Sequence, residues 1–458
     1  MVFKKIQINK SDYANPINIE NCAERKGHRR RCNMVLLGIL LLVSCAFAAL
    51  LAGALLLRRR EAALQVRYRH LVAAKSLYYR SHPLPGGLSQ VVSCYYDMPT
   101  PRRPGARQLL PADIHPNLCT HINVAFAQIK DKKIFLEGYQ HQVISDVVKL
   151  KEINPNLKVL LSVGGAGNHG GFSEMVFNHT CRKTFIRSIK YTLKNLTLDG
   201  IDLDWEFPVV KYQNDFGNRE RQHFSQLLRE IRMEYNRERR DYLLTVAVAA
   251  PQIIVDAAYD VDQINLYVDF VNLMTYDFHT YTKFTPMTGL NSPLYPRASE
   301  QLYLATLNTN YTVEMYKTKG LDPFKIVVGI PTYGHTFTLV NRDNTKVGSP
   351  AVGFGTLGEQ GFVNYPDICK FLNKFQNEST IKMDEDAKVP YFFKNSEWVS
   401  YDNPESVIEK AKYIRRNNLR GAMIYSLNAD DYDGKCSGVE GTEKFPLAFS
   451  IKNTLRGM

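Results

Sequence analysis

Short apolar runs recur along the chain from residue 91 onward, and most segments between them carry apolar residues at helical spacing. The runs are VVSCYY (91–96), THINVAF (120–126), KVLLSVGG (158–165), GIDLDWEF (200–207), LLTVAVA (243–249), DFVNLMTY (269–276), KIVVGIP (325–331) and RGAMIYSL (420–427). Near-continuously apolar strands that alternate with helices are typical of a parallel sheet. Eight such units favour an α/β fold of the (β/α)8 TIM-barrel type, with an open doubly wound sheet as the alternative.

One interval breaks this rhythm, because about 88 residues separate the seventh run from the eighth. The interval contains a glycine-rich stretch, VGFGTLGEQGF, and an aromatic stretch, VPYFFKNSEWVSYDN. We predict an inserted α+β subdomain there, at about 335–403. The barrel domain as a whole is expected to span 89–458.

A longer apolar segment near the N-terminus has the length and composition of a membrane span. Residues 34–57 contain no charge in 24 positions, which is long enough for a helix to cross a bilayer. Eight Lys and Arg residues precede it, so the pattern predicts a cytosolic tail (1–33), a signal anchor (34–57) and a stalk (58–88). This is the topology of a single-pass type II membrane protein whose C-terminal domain is extracellular or lumenal. The alternative is a signal peptide cleaved after Ala48, which would give a secreted protein.

The net charge of +13 comes entirely from the N-terminal region. Residues 1–107 carry 18 Lys and Arg against 5 Asp and Glu, whereas the remaining 351 residues carry 40 of each. A basic N-terminus beside a neutral main domain argues against a nucleic-acid partner and is consistent with a segment that flanks a lipid bilayer.

Two features agree with export of the C-terminal part. Acceptor triplets for N-glycosylation occur at Asn178, Asn195, Asn310 and Asn377. Five cysteines follow the predicted span, at Cys94, Cys119, Cys181, Cys369 and Cys436. In an oxidising compartment they can form disulfides, and an odd number leaves at least one without a partner inside this domain.

The stretch LDGIDLDWEFP (198–208) places acidic residues among apolar ones. On a strand, the period of two puts Asp202, Asp204 and Glu206 on one face and apolar residues on the other. If the acidic face lines the barrel, the like charges cannot all be ionised, and a carboxyl that keeps its proton is a candidate general acid. The alternatives are structural hydrogen-bond acceptors or a divalent-metal site. No histidine lies on this strand, and we predict neither a metal nor a cofactor.

DGIDLDWE resembles the D-G-x-D-x-D-x-E signature of glycoside hydrolase family 18, the chitinases. Further segments are similar to that family in the same order: VSCYYD, PNLCTHINVAFA, KVLLSVGG, VNLMTYDFH, GIPTYGHTF and RGAMIYSLNADDYDGKC. The resemblance covers roughly residues 90–458. It implies hydrolysis of β-1,4-linked N-acetylglucosamine chains, with chitin or chito-oligosaccharide-type glycans as partners and no cofactor.

The resemblance also implies roles for individual residues. Glu206 would protonate the glycosidic oxygen while the substrate's own 2-acetamido oxygen attacks C1, so that configuration is retained. Asp204 would orient the acetamido N–H, Asp202 would share a proton with Asp204, and Tyr276 would bind the acetamido carbonyl. The residues expected to line the substrate cleft are Tyr95, Phe126, Gly165, Met274, Asp277, Tyr333, His335 and Tyr425.

The same resemblance implies disulfides between Cys94 and Cys119 and between Cys369 and Cys436, which leaves Cys181 as a free thiol. The chain departs from the family in its aromatic residues, because it has only two tryptophans, Trp205 and Trp398. Tyr425 stands where the family places a tryptophan under the scissile sugar. A glycan-binding protein with little turnover, a chitinase-like lectin, is therefore the alternative function.

Overall fold

The computed structural model describes residues 90–99, 108–168, 170–209, 217–436 and 444–457, together with eight scattered positions between 44 and 59. The predicted tail, almost all of the predicted stalk and most of the predicted anchor lie outside the described residues. No helix in the described part of the chain is long and apolar enough to cross a membrane. The chain divides into two compact units, Met1–Gly86 and Gly87–Met458, and every described strand belongs to the second.

Eight parallel strands form a closed barrel. They are β1 (Val91–Asp97), β2 (His121–Lys130), β4 (Lys158–Gly164), β5 (Gly200–Asp204), β6 (Leu243–Ala249), β7 (Phe270–Met274), β8 (Ile326–Pro331) and β15 (Gly421–Tyr425). Neighbours along the chain pair with one another, and β15 also pairs with β1, with Val91 opposite Gly421. All eight predicted strands are confirmed. The open-sheet alternative is wrong, because the pairing of the last strand with the first closes the ring.

The remaining strands are antiparallel. A short strand, β3 (Lys133–Phe135), forms a hairpin with β2. Six strands lie in the chain between β8 and β15: β9 (Tyr333–Leu339), β10 (Ala351–Gly353), β11 (Phe362–Asn364), β12 (Thr380–Asp384), β13 (Val389–Lys394) and β14 (Glu397–Ser400). They form a separate sheet in the order β10-β9-β14-β13-β12, with β11 also paired to β9. Trp398 is buried in the core of this sheet, stacked on Tyr391 with ring centroids 5.1 Å apart.

Ten α-helices are present in the described residues of the second unit. They are α1 (Gly138–Lys149), α2 (Phe172–Val176), α3 (His179–Asn195), α4 (Gly217–Arg237), α5 (Gln252–Ala258), α6 (Val261–Tyr267), α7 (Thr309–Thr318), α8 (Tyr365–Lys374), α9 (Pro404–Arg416) and α10 (Pro446–Arg456). The start of α9 illustrates how the sequence sets their ends. Asn403 accepts a hydrogen bond from the Ser406 N–H, the Ser406 hydroxyl accepts one from the Asn403 N–H, and Pro404 occupies the first helical position.

The main hydrophobic core lies between the outward faces of the barrel strands and the surrounding helices. Ile201 and Leu203 of β5 are fully buried in it. Trp205 belongs to the same layer, with its ring stacked on Phe172 at a centroid distance of 5.1 Å. The alternation predicted for this strand therefore directs its apolar side chains toward the helices.

Both predicted disulfides are confirmed. Cys94 is bonded to Cys119 and Cys369 is bonded to Cys436, whereas Cys181 is a buried free thiol. The first disulfide joins the barrel strand β1 to the segment before β2. The second joins α8 to the segment that follows β15.

Removing the second disulfide is expected to cost more stability than removing the free thiol. The bond closes a sequence separation of 67 residues, so Cys369→Ser with Cys436→Ser should lower the free energy of unfolding by about 4 kcal/mol in a chain-entropy model. The control, Cys181→Ala, should cost about 1 kcal/mol. Urea unfolding followed by tryptophan fluorescence measures both values, and equal losses would contradict the expectation.

Candidate active site

The three acidic residues of the signature lie at one end of the barrel interior, on and just beyond strand β5. Asp202 and Asp204 are buried, and Glu206 is half-buried two residues after the strand ends. The carboxyl ends of all eight barrel strands meet at this end, which is where the loops of this fold form binding sites. The hydrogen bonds of Asp202 to residues of four other strands show that its side chain points into the barrel.

Asp202 is the most heavily bonded of the three. Its Oδ2 accepts hydrogen bonds from the Tyr95 and Ser162 hydroxyls, each at 2.7 Å. Its Oδ1 accepts from the Thr245 hydroxyl at 2.6 Å and from the Asn272 side-chain amide at 3.2 Å. The four donors come from four different strands, β1, β4, β6 and β7, so one carboxylate links more than half of the barrel.

Sequence reasoning missed Ser162, Thr245 and Asn272. Each is a polar residue inside an otherwise apolar strand run, in KVLLSVG, LLTVAVA and FVNLM. A lone polar residue in such a run is the signal that could have found them, because a buried polar side chain requires a hydrogen-bond partner.

The electrostatics of the site favour the protonated form of Asp204 over that of an exposed aspartate. Burial raises the pKa of Asp204 well above its usual range, and the nearby Glu206 and Asp202 carboxylates raise it further. Burial also raises the pKa of Asp202, but its hydrogen bonds oppose that rise by stabilising the charged form. Asp204 lacks such compensation at one oxygen, since its Oδ1 has no hydrogen-bond partner in the described part of the chain.

Aromatic side chains from several strand ends form the wall of the cleft beside these acids. The Tyr276 ring is stacked on Tyr425 at 5.8 Å and meets Tyr333 edge-on at 6.1 Å. Tyr95 lies 5.5 Å from Tyr425 and 6.1 Å from Phe126. Met274 packs against the same cluster. The structure thus brings together five of the eight residues predicted to line the cleft, along with Tyr276.

Tyr276 keeps its phenolic proton at neutral pH. Burial raises the pKa of Tyr276 well above its usual value, with further contributions from Tyr425 and Asp204. Within the described residues, its hydroxyl has a single weak contact, with the sulfur of Met423 at 3.8 Å. The hydroxyl can therefore donate a strong hydrogen bond to an incoming acceptor.

Asp277 and His335 form a polar group at the edge of this wall. One oxygen of Asp277 accepts a hydrogen bond from the Tyr333 hydroxyl at 2.6 Å and lies 2.7 Å from Nε2 of His335. Nδ1 of His335 lies 3.1 Å from the Gly361 carbonyl oxygen. Asp277 is exposed whereas His335 is buried, so the predicted contact of His335 with a sugar would be made through Asp277.

Gly165 is required by the shape of the backbone at the end of β4. Its φ is +86°, and its N–H donates a hydrogen bond to the Asp204 carbonyl oxygen at 2.9 Å. A Cβ at this position would lie 2.7 Å from the Phe126 ring. A side chain here would therefore displace both the turn and the aromatic wall.

The other predicted sites are placed as follows. Asn178, Asn195 and Asn377 are exposed, whereas Asn310 is half-buried and accepts a hydrogen bond from the Tyr413 hydroxyl at 3.1 Å. Within the described residues, no group of three His, Cys, Asp or Glu side chains is arranged to hold a metal ion. Neither tryptophan lines the cleft, because Trp205 faces the helices and Trp398 lies in the inserted sheet.

Comparisons with known proteins agree with this geometry. Chitotriosidase-1 of Mus musculus is 35% identical over 359 residues, which covers 76% of this chain and 75% of that protein. The structure of the Group IV chitinase of Ostrinia furnacalis in complex with allosamidin has a TM-score of 0.74 at 34% identity and covers 81% of this chain and 99% of that one. Human YKL-39, described as a pseudo-chitinase with retained chitooligosaccharide binding properties, has a TM-score of 0.74 at 34% identity and covers 80% of this chain and 100% of that one.

The sequence model of one family matches most of the barrel unit. That family is described as Glycosyl hydrolases family 18, and the match extends over residues 91–430. The matched range begins at the first residue of β1 and ends beyond β15, so it contains the whole barrel and the inserted sheet. The chain is a member of glycosyl hydrolase family 18.

Proposed function

We propose that this chain hydrolyses β-1,4-linked N-acetylglucosamine chains with retention of configuration, using the substrate's own acetamido group as the nucleophile. The observation that carries the proposal is the set of three acids on and just beyond β5, whose surroundings differ from one another. Asp202 is held as an acceptor by four hydrogen bonds, burial raises the pKa of Asp204, and Glu206 lies at the mouth of the barrel. Relatives described as chitinases support the choice of substrate.

In the first step, Glu206 donates a proton to the glycosidic oxygen as the bond from that oxygen to C1 breaks. The acetamido carbonyl oxygen forms a bond to C1 on the opposite face and gives an oxazolinium ion. In the second step, water adds to C1 and gives its proton to Glu206 as the oxazolinium ring opens. Two inversions at C1 leave the product with the configuration of the substrate.

Two atoms of the site match the acetamido group. The Asp204 Oδ1 atom is buried and has no hydrogen-bond partner in the described part of the chain, so it can accept the acetamido N–H. The Tyr276 hydroxyl has only a weak sulfur contact, so it can donate to the acetamido carbonyl oxygen. Both contacts orient that oxygen toward C1 and strengthen as charge develops during attack.

A glycan-binding protein with little turnover is the second candidate, and the absence of tryptophan from the cleft favours it. An aromatic contact contributes about 0.5–1.5 kcal/mol beyond the area it buries, so replacing several tryptophans by smaller groups weakens binding. YKL-39, a similar structure, is described as a pseudo-chitinase that retains chitooligosaccharide binding. The retained Glu206 favours the enzyme over this candidate.

We also propose that residues 34–57 anchor the protein in a membrane, with the barrel domain on the extracellular or lumenal side. The uncharged length of this segment and the basic residues on both sides of it support the proposal. The two disulfides and the three exposed glycosylation acceptors agree with an oxidising, glycosylating compartment.

Replacing the proposed acid should abolish turnover without abolishing binding. Glu206→Gln removes the proton donor and should lower kcat on a fluorogenic chitotrioside by roughly 10²–10⁴-fold. Chitotetraose affinity, measured by calorimetry, should change less than about threefold because the cleft wall is intact.

A matched control is Glu397→Gln, which changes a buried glutamate of the inserted sheet that accepts hydrogen bonds from Thr356 and Leu357. It should keep the kcat of the unchanged protein. If the unchanged protein and Glu206→Gln gave the same background rate while both bound chitotetraose, the lectin function would replace the proposed one.

The raised pKa of Asp204 should make stability depend on pH. The native pKa is raised above the unfolded value of about 4, so the stabilising contribution is complete below pH 4 and is lost as pH rises toward the native pKa. Asp204→Asn removes this loss, so its melting temperature relative to the unchanged protein should rise as the pH increases above about 4. Each 1 kcal/mol corresponds to roughly 2 °C. If the difference in melting temperature between the two proteins stayed constant with pH, the pKa of Asp204 would not be raised in the native state.

The proposed membrane anchor predicts that the protein is recovered in the membrane fraction. The full-length protein should remain with membranes after alkaline carbonate extraction and should lose mass when its N-glycans are removed enzymatically. Val43→Arg combined with Phe47→Arg should release it, because each charge in the centre of a span costs about 3 kcal/mol. A soluble product that lacks residues 1–48 would instead establish the cleaved signal peptide.

A further inference from the structure

The segment that carries Tyr276 into the cleft has an unusual backbone. It follows strand β7, and its next residue, Asp277, has a φ of +56°. That is the left-handed region, which favours glycine over residues with a side chain. Neighbouring groups must therefore hold Asp277 in place, and its carboxylate in turn contacts Tyr333 and His335.

The side chain of Asn291 bridges this segment to the start of the inserted sheet. Its Oδ1 accepts a hydrogen bond from the Asp277 N–H, and its Nδ2 donates one to the Tyr333 carbonyl oxygen, each at 3.0 Å. Its own carbonyl accepts from the Phe278 N–H at 3.1 Å. Asn291 is completely buried, and it contacts none of the acidic residues on β5 in these bonds.

A second set of contacts holds Ser292, the residue that follows Asn291. Ser292 donates a hydrogen bond to the Thr275 carbonyl oxygen at 2.6 Å and accepts one from the Lys410 ammonium group at 3.0 Å. Lys410 is fully buried and is paired with Asp402 at 2.7 Å. The backbone on both sides of Tyr276 is therefore tied to neighbouring residues, at Thr275 by Ser292 and at Asp277 by Asn291.

We infer that Asn291 is a positioning residue for the reaction: it holds the backbone of Asp277 against Tyr333 and so sets the place of the Tyr276 hydroxyl in the cleft. The inference rests on the proposed function, in which that hydroxyl orients the attacking acetamido oxygen. Displacing a reacting group by about 1 Å can cost roughly a hundredfold in rate. A buried bridge beside a strained residue is suited to prevent such a displacement.

The test compares Asn291→Ala with a matched control, Asn308→Ala, in the full-length protein. Asn308 is also completely buried and also bridges two backbone groups, because it accepts from the Tyr311 N–H at 2.8 Å and donates to the Ala305 carbonyl at 2.9 Å. It caps helix α7 rather than the segment that follows β7. Both variants lose the same chemical groups and should lose similar melting temperature.

Asn291→Ala should lower kcat on a fluorogenic chitotrioside by roughly 10–100-fold, whereas Asn308→Ala should stay within about twofold of the unchanged protein. The KM of Asn291→Ala should change less than its kcat, because the lost alignment acts on the attacking group. Asn291→Asp should recover rate at acidic pH, relative to the unchanged protein at the same pH, since a protonated carboxyl restores both the acceptor and the donor.

Equal kcat losses in the two alanine variants would overturn the inference and leave Asn291 with a purely structural role. If the unchanged protein had no turnover, the proposed function would fail instead. Chitotetraose affinity would then decide the matter, because positioning predicts weaker binding for Asn291→Ala than for Asn308→Ala, and equal binding contradicts it.

Discussion

The carboxylate of Asp202 accepts four hydrogen bonds from four barrel strands, and the chemistry proposed for the site depends on that arrangement. A buried acid with so many donors is stabilised in its charged form, whereas Asp204, two residues along the same strand, is not. Burial therefore raises the pKa of Asp204 without the opposing effect of hydrogen-bond donors. Glu206, at the end of the series, is then positioned to exchange a proton with substrate at the barrel mouth. The order of these acids follows from strand alternation within one short sequence.

Proton transfer and substrate binding rest on different parts of the molecule. Asp202 and Asp204 belong to β5 and Glu206 follows it, and the hydrogen-bond partners of Asp202 lie inside the barrel. The aromatic wall proposed to bind a sugar comes instead from the ends of other strands and from β9, where Tyr276, Tyr333 and Tyr425 lie against one another. A member of this family can therefore keep the acids while its affinity for a glycan falls. This separation is why family membership alone does not distinguish a chitinase from a glycan-binding relative.

Hydrophobic periodicity was sufficient to predict the eight strands, the closed barrel favoured over an open sheet, and the inward direction of the acids, because each follows from local pattern. The hydrogen-bond partners of Asp202 were not predictable in the same way. Ser162, Thr245 and Asn272 lie far from Asp202 along the chain and meet it only when the barrel closes. The burial of His335 could not be predicted for a similar reason, since its partners Asp277 and Gly361 come from other segments. The predicted anchor lies mostly outside the described residues and stays a prediction.

The configuration of the first product tests the central claim most directly. Proton NMR during cleavage of chitotetraose reports the anomeric form before mutarotation equilibrates it. Attack by the acetamido oxygen, followed by water, predicts that the β-anomer forms first. Initial formation of the α-anomer would contradict the mechanism, because it would mean that water displaces the leaving group in a single step.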